Sequence, residues 1–446
     1  MVGYNMGQKD YKEGSITLGG AVGMGTGVML GAAIFAVIGQ VAQLAGNLMT
    51  FSYIGGAIIA TCSAYTYVKM SNSYPSAGGI GMFFVKVYGK GTITASSALL
   101  MAASMVLSQS LIARTFGTYT LQLFNIGPQS WLVPALGLGL LIFAFLVNIS
   151  KNYFIETFTS TISLIKIVGL AIFSFAAIMA AGFSLGVIPQ TFSLGVPQTI
   201  PAQPALGLAA SFALALLSFK GFTTITNSGA EIVEPHKNVG KAIIISIALL
   251  AVLYFFIALA VSSSLSVPEI VAAKDYALAA AASPTLGVYG VWFTVGIAIL
   301  STVTVCIGSL FAVSRLTAML SKMKLIPHSH LGMKGRVQKH MLVYILVISS
   351  ILTILFDLSR IASIGAIFYL VMDIIFQWGV LRGIREDINA RASIISVSIV
   401  LNIIALSAFV WMKIQTDIFI IVLAILVIIV IFIGEQYFLK SYLSKE

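Results

Sequence analysis

Long apolar segments recur along most of this chain, and only short polar loops separate them. Each segment has about 20 residues or more, which is the length that an α-helix needs to cross the hydrocarbon core of a bilayer. Charged residues make up 9% of the chain, whereas soluble domains contain roughly 25%. Because lipid offers the backbone no hydrogen-bond partner, spans of this kind predict membrane-crossing α-helices.

We predict an all-α integral membrane protein with twelve transmembrane helices in one domain over residues 1–446. An uncharged outer loop that contains several prolines separates the fifth helix from the sixth. The predicted helices span about 17–38, 45–68, 92–124, 130–148, 155–182, 205–230, 240–262, 285–315, 340–356, 360–382, 394–412 and 417–439.

The positive charges lie mostly on one side of the predicted membrane. The chain has 25 lysines and arginines and a net charge of +11. The predicted outer loops carry only Lys274, Arg360 and Lys413, and the predicted inner loops and tails carry nearly all of the others. This asymmetry follows the positive-inside rule. It predicts a multi-pass protein of the cell membrane with both termini in the cytoplasm, and it argues against a nucleic-acid partner.

Two of the predicted helices contain interruptions near their middle. The first helix carries Gly31-Ala32-Ala33-Ile34-Phe35, and the sixth carries Ser218-Phe219-Lys220-Gly221-Phe222. A break in a membrane helix frees backbone groups that are tolerated only where they line a cavity enclosed by protein. The two interrupted helices lie five helices apart, with opposite orientations. This pattern predicts an inverted repeat, with a first half in 1–182, a second half in 205–382 and two further helices in 394–439.

The first break has the chemistry to hold a zwitterion. Unwinding at 31–33 would direct free N–H groups of the following half-helix toward a carboxylate. The carbonyl groups near Met29 could accept hydrogen bonds from an ammonium group. The alternative reading is that the small residues serve only close helix packing.

Three charged residues are predicted to lie deep within helices. A mid-membrane charge is costly and is expected to have a partner or a wet cavity. Lys220 could face a substrate, pair with Asp373 or carry a proton. Because burial favours the neutral form of a lysine, Lys166 could gain and lose a proton, or it could serve as a structural tie to carbonyl groups. Asp373 is either a functional carboxylate or a member of a structural ion pair.

Other polar groups allow fewer conclusions. Glu231 and Glu234 end the sixth helix beside lysines and suggest an inner gate or a surface network. The hydroxyls of the eighth helix could ligate sodium or bond back to helix carbonyls, and they are Ser301, Thr302, Thr304 and Ser309. The sequence shows no phosphate loop, dinucleotide fingerprint or metal-ligand set. We therefore expect no cofactor and no metal.

Several stretches resemble the amino acid–polyamine–organocation superfamily of permeases over nearly the whole chain. Gly31–Phe35 is similar to the Gly-Ser-Gly-Ile-Phe break of that family, and Phe219–Phe222 is similar to its helix-six signature. The other matching stretches are Tyr74-Pro75-Ser76-Ala77-Gly78-Gly79-Ile80, Tyr88-Gly89, Ser314-Arg315 with Leu325-Ile326-Pro327, and Tyr369-Leu370 with Leu381-Arg382.

The resemblance implies a LeuT-like fold of five plus five helices with two more at the C-terminal end, and alternating access. It implies that the substrate contacts Met29, Gly31, Ala32, Ala33, Leu217, Lys220 and Gly221. Lys166 matches the helix-five lysine that replaces sodium in proton-coupled relatives. Two departures stand out, because Ala33 narrows a position that is glycine in the family and Thr223 replaces a common acid.

We therefore predict a secondary active transporter, not an enzyme, that moves a neutral or small amino acid by proton-coupled symport. Lys166 and Asp373 are the predicted proton-coupling residues. The alternatives are an amino acid or amine exchanger with a structural Lys166, and sodium-coupled uptake. More distant alternatives are a channel, a nutrient sensor and a membrane-embedded enzyme. The oligomeric state is left open.

Overall fold

The chain folds into α-helices that short turns connect. The computed structural model describes residues 13–76, 78–150, 155–180, 204–327 and 337–443. The α-helices in these ranges are α1 (Leu18–Met29), α2 (Ala32–Ala45), α3 (Met49–Ser73), α4 (Gly79–Tyr88), α5 (Thr92–Gln122), α6 (Leu132–Ile149), α7 (Ile155–Ala180), α8 (Pro204–Leu217), α9 (Thr223–Asn227), α10 (Pro235–Ser264), α11 (Val267–Ala272), α12 (Ala277–Lys322), α13 (Val337–Leu355), α14 (Leu358–Gly383), α15 (Ala392–Thr416) and α16 (Ile418–Leu443).

Eleven helical runs in the described ranges are long and apolar enough to cross a membrane. One of them, Ala33–Ser73, is 41 residues long and contains the single 3-10 turn Gly46–Leu48 between α2 and α3. The apolar helix α1 is shorter than a span. The all-helical membrane architecture agrees with the sequence, while the number of twelve crossings and the inverted repeat remain predictions.

Local sequence signals explain several helix ends. Thr17 caps α1, because its hydroxyl accepts a 3.1 Å hydrogen bond from the N–H of Gly20. Asp357 caps α14 in the same way, through the N–H of Arg360 at 2.8 Å. Pro235 is the first residue of α10, where its missing N–H costs nothing. Glu269 reaches back to the N–H of Ser266 at 2.8 Å and closes a capping box on α11.

The main difference from the predicted boundaries lies in the eighth predicted helix. This helix was expected to begin near 285, but α12 begins at Ala277 and continues through a kink at Gly287, which has φ 62°. Only glycine adopts such a backbone conformation without strain. Helices α4 and α11 were not predicted, because both are short. The predicted end of helix five near 182 and the proline-containing loop that follows it lie outside the described residues.

The interrupted segments lie in the middle of the bundle. Helix α1 packs against α7 and α10, and α2 packs against α8. Helix α5 contacts α12 and α14 on another side of the same region. Large apolar side chains of α16, such as Phe419, Ile425 and Ile433, are exposed. This is expected of a helix that faces lipid rather than water.

Candidate functional site

The first predicted helix is interrupted at Leu30 and Gly31. Helix α1 ends at Met29, and α2 begins at Ala32. The backbone turns tightly here, because Gly31 N–H bonds to the carbonyl of Val28 at 3.1 Å. A Cβ atom at Gly31 would lie 2.8 Å from the same carbonyl oxygen, so the turn requires glycine. No side chain in the described chain caps the start of α2, and its first N–H groups can therefore receive an anion.

The sixth predicted helix is interrupted over a longer stretch. Helix α8 ends at Leu217, a 3-10 turn covers Lys220–Phe222, and α9 then runs only to Asn227. Ser218 and Phe219 N–H groups bond to carbonyls three residues earlier, which is 3-10 rather than α-helical pairing. Both interruptions therefore occur within the stretches that the sequence singled out.

The two interruptions are in direct contact. A Cβ atom added at Gly221 would lie 2.8 Å from the backbone nitrogen of Met29, so the second break packs on the end of α1. The fully buried Tyr254 of α10 connects them. Its hydroxyl lies 2.6 Å from the carbonyl oxygen of Met29 and 3.2 Å from that of Ser218.

Lys220 leaves the second break and points toward α5. Its ammonium group lies 2.6 Å from the hydroxyl of Ser108 and 3.2 Å from that of Ser104. It also lies 6.0 Å from the ring centroid of Tyr369. Among the described residues Lys220 forms no ion pair with Asp373, so that alternative for Lys220 is not realised in this structure.

Asp373 of α14 lies in a separate, fully buried cluster. Its carboxylate accepts hydrogen bonds from the hydroxyls of Ser63 at 2.8 Å and Tyr67 at 2.9 Å, both on α3. It also accepts from the side-chain amides of Gln377 and of Asn402 on α15. Four donors from three helices therefore satisfy the carboxylate.

Lys166 of α7 is 1% exposed and reaches α12. Its ammonium group donates a 2.5 Å hydrogen bond to the hydroxyl of Thr304. The sodium-ligand alternative for helix eight is weakened by the side chains around it. The hydroxyls of Thr302, Thr304 and Ser309 bond back to carbonyls of α12, and within the described chain the buried hydroxyl of Ser301 has no partner.

Two contacts close the bundle at the end where α1 begins. Arg315 of α12 forms a 2.8 Å ion pair with Glu231, and both side chains are 11% exposed. The backbone of Ile16 pairs with the segment that follows Glu231 in an isolated bridge, through two hydrogen bonds of 2.9 Å. Glu234 instead forms an exposed contact of 3.5 Å with Lys237. The predicted gate or surface network thus separates into one buried pair and one surface pair.

At the opposite end of the bundle, a cavity of about 690 Å³ with both polar and apolar lining residues lies among α2, α11, α14 and α15. Its wall includes the ion pair of Arg360 with Asp417 at 2.9 Å and the side chain of Lys413. The cavity reaches Leu214, which is one helical turn before the end of α8.

The structure divides the predicted site residues among three places. Met29, Gly31, Leu217, Lys220 and Gly221 lie at or beside the paired interruptions, and Ala32 and Ala33 lie in the first turn of α2. Lys166 and Asp373 lie apart from this group, in the contacts described above.

Tyr254, Ser104 and Ser108 were not predicted as site residues. Each is one of several polar side chains in a long, mostly apolar helix, and only the folded arrangement shows which of these side chains lie at the breaks.

These features define the class of the molecule: a multi-pass membrane transporter whose helices one and six are discontinuous. The chain belongs to the amino acid permease family, which matches residues 16–433 and lies within the amino acid–polyamine–organocation superfamily. The permeases of this family are transporters and not enzymes, as the sequence predicted.

Known proteins of three organisms illustrate the relationship. The inner membrane transport protein YbaT of Escherichia coli is 28% identical over 392 residues, which cover 87% of this chain and 88% of that protein. An uncharacterised protein of Methanocaldococcus jannaschii is 31% identical over 305 residues, 68% of this chain and 65% of that protein. The chloroplastic cationic amino acid transporter 7 of Arabidopsis thaliana is 25% identical over 385 residues, 82% of this chain and 65% of that protein.

Proposed function

We propose that the protein is a secondary active transporter that takes up a neutral or small amino acid with a proton, by alternating access. The observation that carries this proposal is the contact between the two interruptions, where Gly221 packs on Met29. Helices broken at the same depth offer free N–H groups and free carbonyls in one place, and these are the groups that a zwitterion requires.

The substrate carboxylate would lie at the start of α2, on the N–H groups of the first turn around Gly31, Ala32 and Ala33. The positive end of the helix dipole favours an anion there. The substrate ammonium group would lie on the carbonyls that end α1 and α8, at Met29 and beside Leu217. The hydroxyl of Tyr254, which has one proton to donate, lies within hydrogen-bonding distance of both carbonyl oxygens, and each carbonyl oxygen can accept a further hydrogen bond. The methyl group of Ala33 narrows the site and favours a small substrate.

Lys166 is the group that we assign to proton coupling. Within the described residues its ammonium group has the hydroxyl of Thr304 as a partner and forms no ion pair. A buried ammonium group held by a neutral hydroxyl loses little when it releases its proton. Because α7 contacts α1, a change in charge at Lys166 can bias the position of the first broken helix. Sodium is disfavoured, since the Thr304 hydroxyl is already engaged by both Lys166 and its own helix.

Asp373 is the second coupling candidate. A buried carboxylate within the membrane can carry a proton. Its four hydrogen-bond donors stabilise the ionised form, however, and they tie α3, α14 and α15 together. A substitution at this position therefore has to separate loss of coupling from loss of fold.

Uptake of radiolabelled alanine into proteoliposomes tests the proposal, with and without an inward proton gradient. The gradient is expected to drive accumulation in the wild type, and Lys166→Ala is expected to abolish the dependence on the gradient. The matched control is Lys440→Ala, which removes an exposed lysine in the last turn of α16 and leaves the interruptions intact. Uptake that ignores the gradient and is unchanged by Lys166→Ala would exclude the coupling role.

An exchanger is the second candidate function, because a hydroxyl partner also suits a structural ammonium group at Lys166. An exchanger takes up labelled substrate only when unlabelled substrate is present inside the vesicle. Proteoliposomes with and without internal alanine, at equal pH on both sides, therefore distinguish exchange from symport.

Charge distribution supports the proposed orientation in the cell membrane, with both termini in the cytoplasm. In that orientation the 690 Å³ cavity faces outward and the Arg315–Glu231 pair faces the cytoplasm. One similar protein carries the name of a cationic amino acid transporter. In this chain the ammonium group of Lys220 would repel a second positive charge on the substrate, so we do not extend that specificity to it.

A further inference from the structure

Within the part of the chain that the structure describes, Lys220 is a cation without an anionic partner in the centre of the bundle. Among the described residues its ammonium group contacts two serine hydroxyls, the carbonyl of Ser104 at 3.4 Å and the ring of Tyr369. None of these groups carries a negative charge. Removing an ammonium group from water costs several kcal/mol unless a counter-charge accompanies it.

The side chain of Lys220 is not completely enclosed by protein. Lys220 and Ser108 are only partly buried, whereas their neighbours Phe219, Gly221 and Leu107 are buried. Ala33, in the first turn of α2, also keeps partial exposure. Lys220 directly precedes Gly221, which packs on Met29 at the first interruption, so its partly exposed side chain begins beside the groups proposed to hold the substrate backbone.

The serines hold the ammonium group in one position. The hydroxyls of Ser104 and Ser108 lie one helical turn apart on α5, so they contact the group together. Ser108 also donates to the carbonyl of Ser104 at 2.9 Å, and Ser104 donates to the carbonyl of Gly365 at 3.0 Å. Both oxygen atoms are thereby oriented to accept from Lys220. A lysine that is fixed in this way is prepared to receive a carboxylate with little loss of side-chain freedom.

We propose that the transporter accepts, and prefers, amino acids with a short acidic side chain, whose second carboxylate pairs with the ammonium group of Lys220. This inference rests on the proposed amino acid site, because the substrate backbone has to be held at the interruptions. The neutral substrates of the proposed function would bind in the same orientation without this ion pair. Residues 204–227, which contain the second interruption, include no aspartate or glutamate, so no carboxylate of this stretch opposes an anionic ligand.

The test compares acids with their uncharged isosteres in competition for alanine uptake into proteoliposomes. Aspartate is compared with asparagine, and glutamate with glutamine, at one fixed pH. At least one acid is expected to inhibit at about tenfold lower concentration than its amide, a difference of about 1.4 kcal/mol. Lys220→Met should bring the ratio close to one, and Lys220→Arg should keep it above one. Lys440→Met is the control, because Lys440 is an exposed lysine in the last turn of α16, and it should leave the wild-type ratio.

Two results would overturn the inference: an amide that competes as well as its acid in the wild type, or an unchanged ratio in a folded Lys220→Met variant. If Lys220→Met does not fold, the inference is tested by the ratio of acid to amide inhibition in the wild type and in the Lys220→Arg variant. Failure of the proposed function differs from both, because alanine uptake itself would then be absent. In that case, thermal stabilisation of the purified protein by aspartate but not by asparagine still supports the inference, and equal effects contradict it.

Discussion

The hydroxyl group of Tyr254 lies 2.6 Å from the carbonyl oxygen of Met29, where the first half-helix ends. The same hydroxyl lies 3.2 Å from the carbonyl oxygen of Ser218, at the start of the second interruption. One side chain of α10 therefore holds both loose helix ends, and it does so at the place where we propose that the substrate ammonium group binds.

Replacing Tyr254 by phenylalanine should weaken this junction. The change removes the one hydroxyl donor that the two buried carbonyls share, so we expect a loss of about 1–3 kcal/mol in stability and a higher KM for uptake. Thermal unfolding and uptake kinetics measure the two effects. Tyr53→Phe is the matched control, because the buried hydroxyl of Tyr53 has no partner within the described chain. Equal losses in the two variants would contradict the role of the Tyr254 hydroxyl.

A methyl group at Gly221 should disrupt the contact between the interruptions. In Gly221→Ala the new Cβ atom would lie 2.8 Å from the backbone nitrogen of Met29, and the backbone would have to shift. We expect a loss of roughly 1–3 kcal/mol and little or no uptake. In Gly139→Ala nothing lies within 4 Å of the added atom, so that variant should fold and transport. Normal uptake by Gly221→Ala would show that the close contact is unnecessary.

Asp373→Asn should reveal whether this carboxylate is structural or couples protons. The amide N–H group of the new asparagine would face hydrogen-bond donors that the carboxylate now accepts from. Each buried group left unsatisfied costs about 1–3 kcal/mol. We expect a marked fall in thermal stability, with proton-driven uptake retained by the protein that folds. Gln377→Met removes one donor of the four and should cost less. A stable Asp373→Asn protein that has lost gradient dependence would instead assign the coupling to Asp373.

The loop before α12 should contribute a pH-dependent cost to stability. Burial raises the pKa of Asp275, and nearby Lys274 and Arg114 only partly oppose it. The folded state therefore holds the proton of Asp275 more tightly than the unfolded state, so this carboxylate destabilises the fold as the pH rises through its pKa values. Asp275→Asn should raise the thermal midpoint at pH 7, and the gain should shrink toward pH 4. A difference for Asp275→Asn that stays constant across this pH range would refute the prediction.

The membrane class and both helix interruptions could be predicted because they depend on local sequence. A glycine in an apolar run, as at Gly31, and a lysine beside a glycine, as at Lys220, mark the breaks directly. The start of α12 was harder to predict from the sequence. Pro284 and Gly287 suggest the start of a helix, but the chain keeps helical pairing on both sides of the kink.

The partners of the charged side chains could not be predicted, because they come from distant parts of the chain. Lys220 contacts serines of α5, more than 100 residues earlier in the sequence. Asp373 collects donors from α3 and α15. Periodicity identifies the buried face of a helix, but it does not identify which neighbouring helix lies against that face.

The pairing of Ile16 with the backbone on either side of Ile232 constrains how the molecule can move. Ile16 N–H bonds to the carbonyl of Glu231, and Val233 N–H bonds to the carbonyl of Ile16, both at 2.9 Å. These two hydrogen bonds connect the short halves of the two broken helices at one end. While they are intact, the two halves should move together as one rigid body. Release of the substrate at that end then requires either that both halves tilt together or that these two hydrogen bonds break.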